Sequence, residues 1–197
     1  MERVGSAIPA LLRGVQEALG SGALAGLSLM LVRAFAGFVI RVKGASMRPT
    51  LAGGEMLFYT AFDVRFGKVR RGDVVLCRFP GRGLTCFVKR VVAVPGDTLY
   101  RLDGATHVVY ERDGESVDEP LDAGTGYAMR RRRHDYEPCV LGEEEYFVAG
   151  DNRGNSHDSR DWRIGDGRNA VGPVRRGMIV GHVRAVVWPF NKIRSVR

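Results

Sequence analysis

The chain has 197 residues, a formal net charge of +8, 45% hydrophobic residues and 26% charged ones. That length suits one domain with at most an appendage, and the apolar fraction excludes a chain disordered throughout. Of the 30 cationic residues 26 are Arg and only four are Lys (Lys43, Lys68, Lys89, Lys192); the positive balance reports general attraction to anionic surfaces, and says nothing by itself about chemistry.

Residues 1–21 read as an amphipathic helix, because Ile8, Leu11, Leu12, Val15 and Leu19 recur at helical spacing. From Gly22 to Ile40 the chain runs GALAGLSLMLVRAFAGFVI with Arg33 as its single charge, close to the roughly 20 residues that cross a bilayer. Residues 22–42 are therefore expected to form a single membrane anchor, with Arg33 snorkelling to the nearer interface. A cleavable secretion signal fits less well, since Glu2, Arg3, Arg13 and Glu17 precede the apolar block. Arg41, Lys43 and Arg48 follow that block, and a literal count of flanking charge would place the body of the chain on the cytoplasmic side.

Beyond Lys43 the period changes, and residues 43–197 are expected to be a β-rich domain. Val74–Phe79 and Leu84–Val94 form one hairpin across Pro80-Gly81-Arg82-Gly83, and the second strand ends at Pro95-Gly96-Asp97. His107–Arg112 and Glu115–Val117 form another across Asp113-Gly114, a dipeptide suited to positive φ. Glu119–Cys139, with the unbroken run Arg130–Arg133, reads as an exposed irregular loop, so that 98–149 is a hairpin with a variable loop insertion. Tyr146–Ala149 and Met178–Trp188 are the last strand candidates. Cys77, Cys86 and Cys139 match neither a zinc spacing nor a disulfide framework, so no metal is expected; Cys77 and Cys86 lie on facing strands of the first hairpin, where one register would permit a bond.

On the Leu84–Val94 strand, period-2 alternation places Phe87, Lys89, Val91 and Ala93 on one face. An ammonium in that apolar row loses hydration, its pKa falls, and a fraction becomes a neutral amine able to accept a proton, which suits a general base. Arginine stays protonated and could not substitute. Alone, such a lysine is more often a core-crossing stem with a solvated head, so a partner is required. Ser46, in Lys43-Gly44-Ala45-Ser46-Met47-Arg48-Pro49-Thr50-Leu51, is the candidate: serine becomes a nucleophile when a base adjoins it. The third cluster is the polar loop Gly150-Asp151-Asn152-Arg153-Gly154-Asn155-Ser156-His157-Asp158-Ser159-Arg160, in which Asp158 and Arg160 can pair and a serine can orient an amine.

In this order, the segments around Ser46, Arg71-Gly72-Asp73-Val74-Val75, Val88–Asp97 and Gly150–Arg160 resemble the motif boxes of the type I signal peptidase family, over about residues 40–190. The resemblance implies a mainly β fold of coiled antiparallel sheets, shared with self-cleaving repressor proteases and preceded here by one N-terminal membrane helix. It implies a Ser46/Lys89 dyad, with Ser156 holding the amine and Asp158, Arg160, Gly150 and Asp151 supporting the loop. Gly44, Ser46 and Met47 would form the oxyanion and substrate-binding segment; where some members carry a serine hydroxyl, this chain has Gly44, leaving main-chain amides as donors. The activity implied is removal of N-terminal signal peptides from exported preproteins, without cofactor or nucleic acid, by a monomer bound to the lipid bilayer. Catalysis would lie on the outer side of a bacterial plasma membrane, against the charge count at Arg41–Arg48, or in an organellar inner membrane. Trp162–Ala170 departs from the family pattern as a loop insertion at 163–170. A self-cleaving repressor would need polar DNA-binding helices where residues 1–43 are mostly apolar, and an inactive binding protein would not need Ser46, Lys89 and Ser156 together.

Overall fold

The computed structural model describes residues 20, 22, 38–79, 84–121, 136–160 and 172–196. The amphipathic stretch, most of the apolar block, the Arg130–Arg133 run and the 163–170 insertion lie outside them. Among the described residues no helix is long and apolar enough to cross a membrane.

The body is mainly β. Among the described residues the strands are β1 (Phe38–Arg41), β2 (Met56–Thr60), β3 (Val74–Arg78), β4 (Cys86–Ala93), β5 (Thr98–Leu102), β6 (Ala105–Arg112), β7 (Glu115–Pro120), β8 (Tyr136–Val140), β9 (Glu145–Ala149), β10 (Val174–Arg175), β11 (Ile179–Trp188) and β12 (Arg194–Ser195), with a short helix, α1 (Phe62–Phe66), between β2 and β3. They form two antiparallel sheets. The larger runs β1-β2-β11-β3-β4-β9-β10 with β12 beside β11; the smaller runs β7-β6-β5-β8. β11 reaches β2, β3 and β12 because register shifts between Ile179 and Gly181, Val183 and Ala185, and Val186 and Trp188 bend it.

Three apolar clusters fill the interior. One joins Val75, Cys77, Val91, Val148 and Val174; a second joins Val92, Ala93, Leu99, Val108 and Phe147. The third, Val42, Met47, Leu51, Leu57, Val74, Val183 and Val186, lies beneath the segment that carries Ser46. β4 serves the first two clusters through a bulge: Val91 faces Val148, but Ala93 faces Phe147. Ala93 therefore leaves the face of Phe87, Lys89 and Val91, where strict alternation had placed it.

The turn between the sheets is closed by Asp97. Its carboxylate accepts from the Val94 N–H at 2.5 Å and from Arg71 at 2.6 Å, while the Arg71 guanidinium lies 3.6 Å from the Tyr110 ring centroid. The Asp113-Gly114 hairpin forms as expected, with φ of 54° and 84°.

Other expectations are corrected. Phe38–Ile40 belong to a strand paired with β2, not to the end of an apolar helix, so an anchor cannot extend to residue 42 as helix. Within Glu119–Cys139, Glu119 and Pro120 complete β7, and Tyr136–Cys139 belong to β8 against β5. β8 is an edge strand whose Glu137, Pro138 and Val140 are exposed, a place where charge and proline are tolerated and where the sequence looks irregular. Cys77 stands opposite Phe87 and Cys86 opposite Arg78, so the two thiols project from opposite faces, one buried and one exposed, and all three cysteines are free.

Phe147 is fully buried between the sheets whereas Phe190 is 73% exposed. Phe147→Ala is expected to lower the unfolding free energy by about 3–5 kcal/mol in urea titrations, and Phe190→Ala by under about 0.5 kcal/mol; equal effects would contradict this placement of the core.

Candidate active site

Three segments converge on one point: the turn after β1, the middle of β4 and the loop after β9. The turn is fixed from below by Met47 and Leu51, 2% and 0% exposed in the third cluster. Its base is closed by the Val42 N–H to the Glu55 carbonyl at 2.8 Å and the Gly54 N–H to the Val42 carbonyl at 3.0 Å. The buried Glu55 carboxylate accepts a two-pronged pair from Arg194 at 3.0 and 2.9 Å, and Arg194 also donates to the Thr50 carbonyl at 2.7 Å. Ser46 is held half-buried on this rigid turn. Among the described residues neither the Ser46 nor the Met47 N–H has a protein acceptor.

Lys89 shares its face of β4 with Phe87 and Val91, stands opposite Val75 on β3, and is 2% exposed. Its Nζ lies 2.9 Å from Ser46 Oγ and 3.0 Å from Ser156 Oγ. Burial is the largest influence on this amine and holds its pKa below the ordinary lysine value; the Arg160 cation acts in the same direction, and Asp158 and Asp151 oppose it. Ser156, itself buried, also hydrogen-bonds Asp158. One hydroxyl thus connects the amine to a buried carboxylate without the two touching.

Asp158 and Arg160 are both fully buried and pair through two bonds of 2.8 Å, Nε to Oδ1 and Nη2 to Oδ2. Burial pushes the Asp158 carboxyl up, but Arg160 and the Gly150 N–H, which donates at 3.0 Å, outweigh it and hold the group ionised below the usual range. Arg160 Nη2 also donates to the Arg153 carbonyl at 3.1 Å, which folds the loop back on itself.

The loop is latched to the turn. The Asn152 N–H donates to the Ser46 carbonyl at 2.9 Å and Asn152 Nδ2 to the Ala45 carbonyl at 3.1 Å. Asp151 accepts from Arg90 at 2.8 Å on each oxygen and from Thr50 Oγ1 at 2.5 Å. Burial would raise the Asp151 carboxyl; Arg90 and Thr50 reverse that and keep it charged. A Cβ on Gly150 would overlap Ser156 Oγ and the Ser46 carbonyl oxygen, so only glycine lets loop and turn approach this closely.

Of the residues singled out in the sequence, Ser46, Lys89, Ser156, Asp158, Arg160, Gly150 and Asp151 are brought together. Gly44 contributes backbone shape, with φ of 89°, and Met47 is buried beneath the turn. Thr50, Arg90, Asn152, Glu55 and Arg194 were not foreseen. Arg90 had a visible signal: it follows Lys89 directly, so alternation sends it to the other face, where a second contact with the loop is required. Among the described residues no cluster of His, Cys, Asp and Glu could hold a metal.

A cleft of about 420 Å³ opens beside the pair, lined by the apolar Ile40, Val42, Leu76, Phe87 and Val88 together with Ser46 and Lys89. Its walls come from β1 and its extension on one side and from β4 on the other, a shape suited to an extended peptide. A serine beside a buried amine of lowered pKa, at the end of a peptide-sized cleft, is an arrangement in which an amine can accept the proton of an attacking hydroxyl.

A profile of the family described as signal peptidase, peptidase S26, matches residues 15–188. Signal peptidase I of Bacillus licheniformis is 32% identical over 176 residues, spanning 84% of this chain and 84% of that protein. Signal peptidase I T of Bacillus subtilis (strain 168) is 31% identical over 184 residues, 88% of this chain and 86% of the relative. Signal peptidase IB of Staphylococcus aureus (strain Mu50) is 30% identical over 168 residues, 78% of each. The chain belongs to the signal peptidase family, peptidase S26, and is a serine endopeptidase.

Gly150→Ala is expected to reduce peptide cleavage by about 10²-fold, since ångström-scale displacement of an active-site group has that effect, while circular dichroism stays native. Asp158→Asn strands Arg160 as a buried unpaired cation and is expected to destabilise the fold by about 3–5 kcal/mol in denaturant titration.

Proposed function

We propose that this enzyme removes N-terminal signal peptides from exported preproteins, with Ser46 as nucleophile and Lys89 as general base. The observation that carries the assignment is the 2.9 Å approach of a 2% exposed lysine amine to a serine hydroxyl. In the neutral form Lys89 Nζ accepts the Ser46 proton as Oγ attacks the scissile carbonyl. The lysinium then protonates the leaving amine, releasing the mature chain and leaving the signal peptide acylated on Ser46. Neutral again, Lys89 takes a proton from water, which attacks the ester and frees Ser46.

Ser156 keeps Nζ aimed through both half-reactions, and Asp158 with Arg160 braces Ser156. The Ser46 N–H, which has no protein acceptor among the described residues, serves as the first oxyanion donor, because a fixed amide dipole stabilises charge as it develops. No cofactor is required by these steps. The apolar cleft receives the segment before the scissile bond, whose small residues and apolar core it suits. Residues 22–37 supply the apolar part of a membrane anchor that keeps the enzyme, as a monomer, beside its substrate, with catalysis on the outer side of a bacterial plasma membrane.

Cleavage of a peptide with Ala at the first and third positions before the bond is expected in wild type and reduced at least about 10³-fold in Ser46→Ala, Lys89→Ala and Lys89→Arg. Arginine keeps the charge but cannot give up its proton, so substantial activity in Lys89→Arg would remove Lys89 as base. Because burial lowers the Lys89 pKa, kcat/KM should rise with pH as the neutral amine forms and level off below the ordinary lysine value of 10.5; a rise confined to the region of 10.5 and above would contradict the assignment.

A further inference from the structure

A second groove, also of about 420 Å³, is bordered by later residues of the Ser46–Thr50 turn than those that line the apolar cleft. Arg48 and Pro49 form one wall, and Asp151, Asn152, Arg153 and Asn155 form the other. Its lining is more polar than that of the first, which is mostly apolar but also includes Arg41 and Lys43. The Asp151 carboxylate is already held by Arg90 and Thr50, which leaves the guanidinium group of Arg48 as the groove's exposed charge. Arg48 is exposed, and among the described residues its side chain has no ion-pair or hydrogen-bond partner. The Asn152 N–H to Ser46 carbonyl bond fixes one wall directly to the nucleophile's own residue.

A polypeptide bound with its scissile carbonyl at Ser46 Oγ must continue past the turn on both sides. The apolar cleft suits the segment before the bond, so the polar groove is left for the segment after it. Resting on the proteolytic reading above, we propose that this groove is a subsite for the chain following the scissile bond, and that Arg48 selects substrates carrying an acidic residue among the first three positions of that chain. The reach is consistent: Arg48 is two residues from Ser46, and three extended residues span about 10 Å. The selection is modest in size, because a partly solvated ion pair contributes a few-fold in binding, and it weakens with salt.

The test uses the full-length enzyme in detergent and peptides with Ala at the first and third positions before the bond, carrying Asp, Asn or Lys at each of the first three positions after it. Wild type is expected to cleave at least one Asp peptide about three- to fivefold better in kcat/KM than its Asn counterpart, and the Lys peptide worse. The Asp advantage should shrink between 50 and 500 mM salt. Arg48→Glu should invert the order of Asp and Lys; Arg48→Gln and Arg48→Ala, which remove the charge without reversing it, should each reduce the Asp advantage. Cleavage of the Asn peptides with no Asp preference at any position, or a preference unchanged in all three variants, overturns the subsite while leaving the proteolytic reading intact. Failure of folded wild type to cleave any peptide overturns both.

Discussion

The Lys89 amine, buried beside charged groups and 2.9 Å from the Ser46 hydroxyl, is the interaction on which this site depends. Burial alone favours the neutral amine, and a bare carboxylate in contact with it would restore the ammonium. The chain resolves the conflict by placing Ser156 between Lys89 and Asp158 and by neutralising Asp158 with Arg160, both fully buried. The negative charge that orients the loop is thereby prevented from capturing the base. The same arrangement explains why the pair is buried at all: an exposed Asp–Arg pair could brace a loop, but it would bring water to the amine and erase the shift.

Bringing the amine to the hydroxyl is a long-range problem, since Ser46, Lys89 and Ser156 come from segments 43 and 67 residues apart. Sheet pairing supplies the coarse placement, because β4 pairs with β3 on one side and β9 on the other. The fine placement comes from polar latches: Asn152 to the carbonyls of Ser46 and Ala45, and Arg90 with Thr50 on Asp151. Gly150 removes the one Cβ that would hold turn and loop apart. Successive residues Lys89 and Arg90 thus reach the same loop from opposite faces of β4, Lys89 at Ser156 and Arg90 at Asp151.

How much of this is legible in the sequence depends on the range of the interaction. The hairpin at Asp113-Gly114 and the strands over Val74–Arg78 and Cys86–Ala93 are local patterns, and they form as read. Ser46, Lys89, Ser156, Asp158 and Arg160 were legible because their order and surroundings resemble a family. What was not legible is pairing between distant segments. β8 is hidden in a charged stretch because an edge strand needs little hydrophobicity, and Phe38–Arg41 is hidden at the end of an apolar run because strand and helix share that composition. The bulge that turns Ala93 to the other core, and the Glu55–Arg194 clamp 139 residues apart, leave no local signature.

The chain's four lysines make its central claim directly measurable. Selective labelling of lysine side-chain nitrogen, with Lys89 assigned through Lys89→Arg and Ser46→Ala used to prevent turnover, allows each amine to be titrated by NMR. Lys89 is expected to titrate below the ordinary lysine value of 10.5, and Asp158→Asn, where folded, to lower it further, because Asp158 favours the ammonium. A Lys89 amine that titrates at or above the ordinary lysine value of 10.5 would contradict its proposed role as the base.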